Sequence, residues 1–183
     1  VIAPGTTPDG IEPSGPAKLC LVHSPKCFTA PKNNPQFGFS PKAEIVQLSP
    51  TKQAILFSAV ASAGGSGSLT MLAFLDVRNG DWADLLPHVA ISNQGELAIW
   101  RESNVSNAAL FVTADALWGE GETHFSKHRF EVSAYAFDSE TQGYYLRDRY
   151  VTRKKYPSLD EVDKVVVLEY EKPEILQRLR QQR

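Results

Sequence analysis

Between Phe125 and Tyr156 the chain reads FSKHRFEVSAYAFDSETQGYYLRDRYVTRKKY, two runs of period-two alternation around a polar turn. A period of two marks a strand, because successive side chains leave a pleated backbone on opposite faces. His128, Phe130, Val132, Ala134 and Ala136 point one way; Arg129, Glu131, Ser133, Tyr135 and Phe137 point the other. The first set is the expected core face, since the second carries a cation, an anion and a hydroxyl. Asp138 to Gly143 supplies turn formers, with Gly143 free to take positive φ. On the return, Tyr144, Leu146, Asp148, Tyr150 and Thr152 alternate with Tyr145, Arg147, Arg149 and Val151. Neither of these sets is apolar throughout, which predicts an edge strand or a sheet half covered on one side.

The rest of the chain supplies shorter strands to pair outward from this hairpin. Apolar or alternating runs at 17–23, 43–48, 53–63, 68–77, 85–91, 96–100 and 108–117 are separated by turn residues, with 24–41 expected as loop. The spacing predicts an all-β (or β-rich α+β) fold, an antiparallel meander curved into a sandwich or partial barrel. Gly64-Gly65-Ser66-Gly67-Ser68 lacks the lysine and following helix of a phosphate-binding loop, so it is expected as a hairpin connection. After Pro157 the pattern changes. Ser158-Leu-Asp-Glu161 has capping-box spacing and predicts a helix to about 171, with Pro173 opening a second short one to 181. The four prolines and three glycines of residues 1–17 predict a flexible or surface-hugging arm, leaving 18–183 as a single β-rich domain.

A net charge of -2 argues against nucleic acid as a partner. No apolar run approaches the roughly 18 residues of a membrane span. Cys20 and Cys27 stand close together in CLVHSPKC, a spacing that suits a disulfide in an oxidising compartment. The alternative, a structural zinc, would find only His23 nearby. With the Pro/Gly-rich opening and the lack of a start methionine, the pair leads to an expectation of an extracytoplasmic (periplasmic or secreted), processed protein.

Three clusters could carry chemistry. His124 and His128, with Glu120 or Glu122, have metal-ligand types at close spacing, but i and i+4 on a strand stand roughly 13 Å apart. Asp76, Asn79, Asp81 and Asp84 are dense in oxygen donors. Their wording, Asn79-Gly80-Asp81 followed by Asp84-Leu85, resembles the calcium loops of integrin-type propeller blades. Trp82 stands where that pattern has glycine, and the last aspartate falls one residue early, so no family assignment rests on it. A hairpin turn with Asn79-Gly80 at positive φ explains the same residues. The third cluster is the return strand, where Tyr145, Arg147, Arg149, Tyr150, Arg153 and Lys155 interleave rings and cations. Such a surface binds a protein, an anionic ligand or a glycan by stacking and charge; it also protects a sheet edge from aggregation.

No nucleophile motif occurs, and Trp82, Trp100 and Trp118 all fall at strand ends or turns. The leading expectation is therefore a non-catalytic extracytoplasmic binding or protein-interaction module without a cofactor. The alternatives are a metal-dependent hydrolase using His124, His128 and Glu122 (or Glu120), with zinc or calcium as the ion, and a structural component of a larger assembly.

Overall fold

The computed structural model describes residues 1–6, 8, 10, 13–30, 37–61, 69–93, 95–123, 125–157 and 166–182. It divides into two compact units, Val1–Asn93 and Gln94–Arg183, where the sequence suggests one domain from residue 18 onward. Among the described residues both units are built on antiparallel strands, no sheet closes into a barrel, and one helix lies near the C-terminus.

The first unit contains β1 (Lys18–Cys20), β2 (Cys27–Thr29), β3 (Phe39–Ser49), β4 (Lys52–Val60), β5 (Leu69–Arg78), β6 (Asp81–Asp84) and β7 (Ala90–Asn93). β1 and β2 form a two-stranded ribbon in which Cys20 faces Cys27, and the two are joined by a disulfide. β2 lies in the stretch expected as loop; only three residues long, it pairs where the cross-link holds it. The larger sheet runs β3-β4-β5-β6, with β7 pairing the other end of β5. β5 (LTMLAFLDVR) is apolar on both faces, as a central strand requires, and buries Met71, Ala73, Phe74 and Leu75. Pro41 is tolerated inside β3 because β3 is an edge strand whose register shifts between Phe39 and Lys42.

The turn joining β5 to β6 takes positive φ at both central residues, 53° at Asn79 and 74° at Gly80, the hairpin geometry that Asn-Gly favours. The strand expected over 85–91 is instead a bend followed by β7. Pro87 interrupts the ladder, and Asp84 Oδ1 accepts the Leu86 N–H at 3.0 Å. The N-terminal arm is hydrogen-bonded: Ile2 N–H donates to Lys18 C=O at 2.8 Å, and Lys18 N–H returns the bond at 2.9 Å. It also packs on Gly38, where an added Cβ would lie 2.3 Å from Pro13 Cβ and 2.4 Å from Gly15 O.

The second unit contains β8 (Glu96–Trp100), β9 (Leu110–Leu117), β10 (Arg129–Asp138), β11 (Gly143–Val151) and α1 (Val167–Gln181), with sheet order β11-β10-β9-β8. β10 and β11 are the predicted hairpin, and β11 is an edge. Phe130, Val132, Ala134 and Ala136 are buried as expected, against Leu110, Val112 and Ala114 of β9 and against Val167, Leu168, Ile175, Leu176 and Leu179 of α1. Positive φ at the hairpin turn falls on Gln142 (56°) rather than on Gly143.

A bulge lies between Ala134 and Tyr135, which face Asp148 and Leu146 and leave Arg147 as the extra residue. The expected alternation of β11 therefore breaks. Tyr144 faces Phe137 and Leu146 faces Tyr135, on the side away from α1, while Asp148 and Tyr150 face Ala134 and Val132 on the α1 side. Where two helices meeting at Pro173 are expected, α1 is continuous through it. Pro173 lacks the N–H that would bond the Glu169 carbonyl, and packing of Ile175, Leu176 and Leu179 offsets that loss. The expected capping segment, 158–165, lies outside the described residues. Val166 offers no side-chain cap. Glu96 of β8 serves instead: Oε1 accepts the Val167 N–H at 2.7 Å and Oε2 the Leu168 N–H at 2.8 Å.

Candidate functional site

A cleft of about 350 Å³ opens between the end of β11 and α1, lined by Tyr150, Val151, Arg153, Lys154, Tyr156, Tyr170, Glu171, Glu174 and Arg178. The bulge turns Tyr150 toward α1, and its hydroxyl donates to Glu171 Oε2 at 2.8 Å. Tyr156 donates to the other oxygen, Glu171 Oε1. Burial first, and the bonds to Glu171 second, push both phenols well above the usual tyrosine range, so they remain donors at any physiological pH. The Arg178 guanidinium lies 4.6 Å from the Tyr150 ring centroid and forms a two-pronged ion pair with Asp148 at 2.6 and 3.2 Å. Arg178 also holds the Asp148 carboxyl below the usual aspartate range.

The mouth of the cleft is a fixed turn. Thr152, almost fully buried, accepts the Phe130 N–H on Oγ1 at 3.0 Å and donates the same hydroxyl to the Lys154 carbonyl at 2.8 Å. That pair of bonds sets the backbone of Arg153 and Lys154. Both side chains are exposed, and neither has an ion-pair partner among the described residues. Elsewhere in the lining the Tyr156 and Tyr170 rings stand 6.4 Å apart at 42°.

Of the six return-strand residues singled out from sequence, Tyr150 and Arg153 line this cleft and the other four do not. Arg147 donates to the carbonyls of Val105 (3.1 Å) and Leu179 (2.7 Å), tying β11 to the last turn of α1. Arg149 pairs with Glu131 at 3.6 Å on the far face. Lys155 donates to Glu122 Oε1 at 2.5 Å, and Tyr145 is exposed nearer the hairpin turn. Lys154 and Tyr156, from the same basic-aromatic stretch, also line it, whereas sequence reasoning missed Tyr170, Glu171, Glu174 and Arg178 altogether. The i, i+4 spacing of Glu174 and Arg178 was the available signal on the helix.

The histidine cluster is organised differently from a metal centre. His124 lies outside the described residues, and Glu120 is exposed. Glu122 accepts the Gly119 N–H at 2.8 Å, His128 Nδ1 at 2.8 Å and the Lys155 ammonium. Lys155 first, then Gly119 and His128, hold its carboxyl at about 2. His128 is fully buried, with its ring 4.6 Å from that of Trp118. The acidic residues at the β5–β6 turn are likewise engaged by cations. Lys52 reaches Asp76 at 2.9 Å, with Arg78 at 3.3 Å, and Lys26 reaches Asp81 at 2.9 Å. Among the described residues no three His, Cys, Asp or Glu side chains are grouped to hold a metal ion. No described helix is long and apolar enough to cross a membrane.

Trp100 lies under the Lys172 ammonium at 5.1 Å, and Trp82 Nε1 donates to the Lys26 carbonyl at 3.4 Å. No family model, curated protein or solved structure matches the chain.

Proposed function

We propose that the protein is a non-catalytic extracytoplasmic binding module whose contact surface is the β11–α1 cleft, and that its ligand carries an anionic group. One observation carries this reading: Arg153 and Lys154 are held at the cleft mouth by the Thr152 bonds, with no ion-pair partner among the described residues. A salt-bridged cation has little attraction left for a ligand, and no described carboxylate draws on these two. The tyrosine wall adds stacking area, and the volume falls within the range of small-ligand sites. The tyrosine hydroxyls are committed to Glu171 as donors, which favours binding over proton transfer.

The Cys20–Cys27 disulfide supports an oxidising compartment. Recovery of the protein from the cytosol of its source with both thiols reduced would overturn that assignment. The binding reading is tested on an array of acidic and neutral oligosaccharides, with Arg153→Ala/Lys154→Ala beside Arg149→Ala as the far-face control. The expected result is retention of acidic members, lost in the double variant and kept in the control. Equal retention by all three proteins would remove the cleft from the function.

A further inference from the structure

We infer that the cleft is built for a zwitterion of the phosphocholine class, a quaternary ammonium joined to a phosphate ester. This rests on the cleft being the ligand site, and it names what meets the wall formed by Tyr156, Tyr170 and α1. That wall is aromatic and acidic. Tyr156 and Tyr170 have centroids 6.4 Å apart at 42°, so one trimethylammonium in the wedge lies within about 6 Å of both rings. Glu171 and Glu174, on the same helix as Tyr170, add two negative charges to the lining.

The cleft already shows the pairing it would offer a ligand. The protein's own Arg178 occupies the face of Tyr150 at 4.6 Å, whereas among the described residues no cation stacks on Tyr156 or Tyr170. Both Glu171 oxygens already accept tyrosine hydroxyls, which leaves Glu174 as the more open carboxylate of the lining. A trimethylammonium has no N–H; it needs only ring faces and negative charge. Arg153 and Lys154 at the mouth then receive the phosphate, Arg153 by its planar fork and Lys154 as a point charge.

The test is calorimetric titration of the full chain with phosphocholine, choline chloride and inorganic phosphate, and co-sedimentation with phosphatidylcholine and phosphatidylglycerol vesicles. Phosphocholine is expected to bind more tightly than either half alone. Tyr170→Ala should weaken phosphocholine about tenfold while leaving phosphate unchanged, and Tyr170→Phe, which keeps the ring, should bind as the parent does. Tyr170 is 68% exposed, so its removal leaves the fold intact. Arg153→Ala/Lys154→Ala should weaken phosphocholine about tenfold and spare choline.

Sedimentation with phosphatidylcholine but not phosphatidylglycerol would identify a lipid headgroup as the source. Binding of soluble phosphocholine alone would identify a free or glycan-borne group; either supports the inference. Phosphate binding equal to phosphocholine and indifferent to Tyr170→Ala would overturn the zwitterion and leave the anion site standing. Choline binding equal to phosphocholine would overturn the role of the cations, and no binding in any arm would overturn both.

Discussion

Replacing Glu96 by alanine removes both acceptors that close the N-terminus of α1. The helix has no side-chain cap of its own, and its first two N–H groups, on Val167 and Leu168, belong to residues that are 0% and 2% exposed. Hydrogen bonds to a charged acceptor contribute about 1.5–3 kcal/mol each. A carboxylate at a partly buried helix N-terminus adds up to ~2 kcal/mol through the dipole. These terms overlap, and water partly replaces the lost acceptors, so the expected cost is about 3 kcal/mol for Glu96→Ala. Glu96→Gln keeps one good acceptor and should cost roughly half as much.

Urea unfolding followed by helix circular dichroism reports on α1, the only helix among the described residues. With a slope of about 2 kcal/mol/M, the alanine variant's midpoint should fall by about 1.5 M. Val166 already has the extended backbone of a cap residue, with φ -76° and ψ 97°. Val166→Asp should therefore recover about 1 kcal/mol in the Glu96→Ala background and add little to the parent. A midpoint shift below about 0.3 M for Glu96→Ala, or equal gains from Val166→Asp in both backgrounds, would refute the capping argument.

Three further outcomes are expected. Gly38→Ala should release the N-terminal arm, because its Cβ would lie 2.3 Å from Pro13 Cβ; faster amide exchange at Ile2 and Lys18, with β3–β5 unchanged, is the readout. Cys20→Ser/Cys27→Ser should destabilise the first unit by about 2.5 kcal/mol from loop-closure entropy, measured by urea unfolding with Trp82 fluorescence; an unchanged midpoint would contradict it. Glu122, held at about 2 in the folded chain against about 4.3 unfolded, contributes stability that is full above the unfolded value and lost as pH falls toward about 2. Carboxyl NMR titration should find that low midpoint, and Lys155→Ala should raise it; no movement would remove Lys155 as the main cause.

Local chemistry was legible wherever it was decided by neighbours in sequence. Asn79-Gly80 adopted the turn its residues favour, Cys20 and Cys27 paired across a short ribbon, and Glu96–Trp100 formed a strand with the expected bounds. The buried face of β10 followed from alternation alone, because a one-residue slip would have exposed Phe130 and Val132. What sequence could not show depended on distant partners. The cap of α1 comes from a residue 71 positions upstream, and Pro173 was read as a helix start because the packing that carries α1 through it is tertiary. The cleft stayed hidden for two reasons. Tyr170 and Glu171 sit about twenty residues beyond Tyr150, and the bulge that brings them together carries no glycine or proline to announce it.

That extra residue at Arg147 also bears on how such a site could arise or vanish. Were β11 to pair regularly through it, with Arg147 opposite Ala134, everything from Asp148 onward would exchange sides relative to Tyr144. Tyr150 would leave Glu171 and Asp148 would leave Arg178, while the hairpin kept its hydrogen bonds. Loss of the Arg147 codon has the opposite effect: Asp148 stays opposite Ala134 and Tyr150 opposite Val132, so a shorter hairpin keeps the cleft side chains on the α1 side. A lineage carrying the same hairpin one residue shorter would keep both sheet and cleft and lack the Arg147 bonds to Val105 and Leu179.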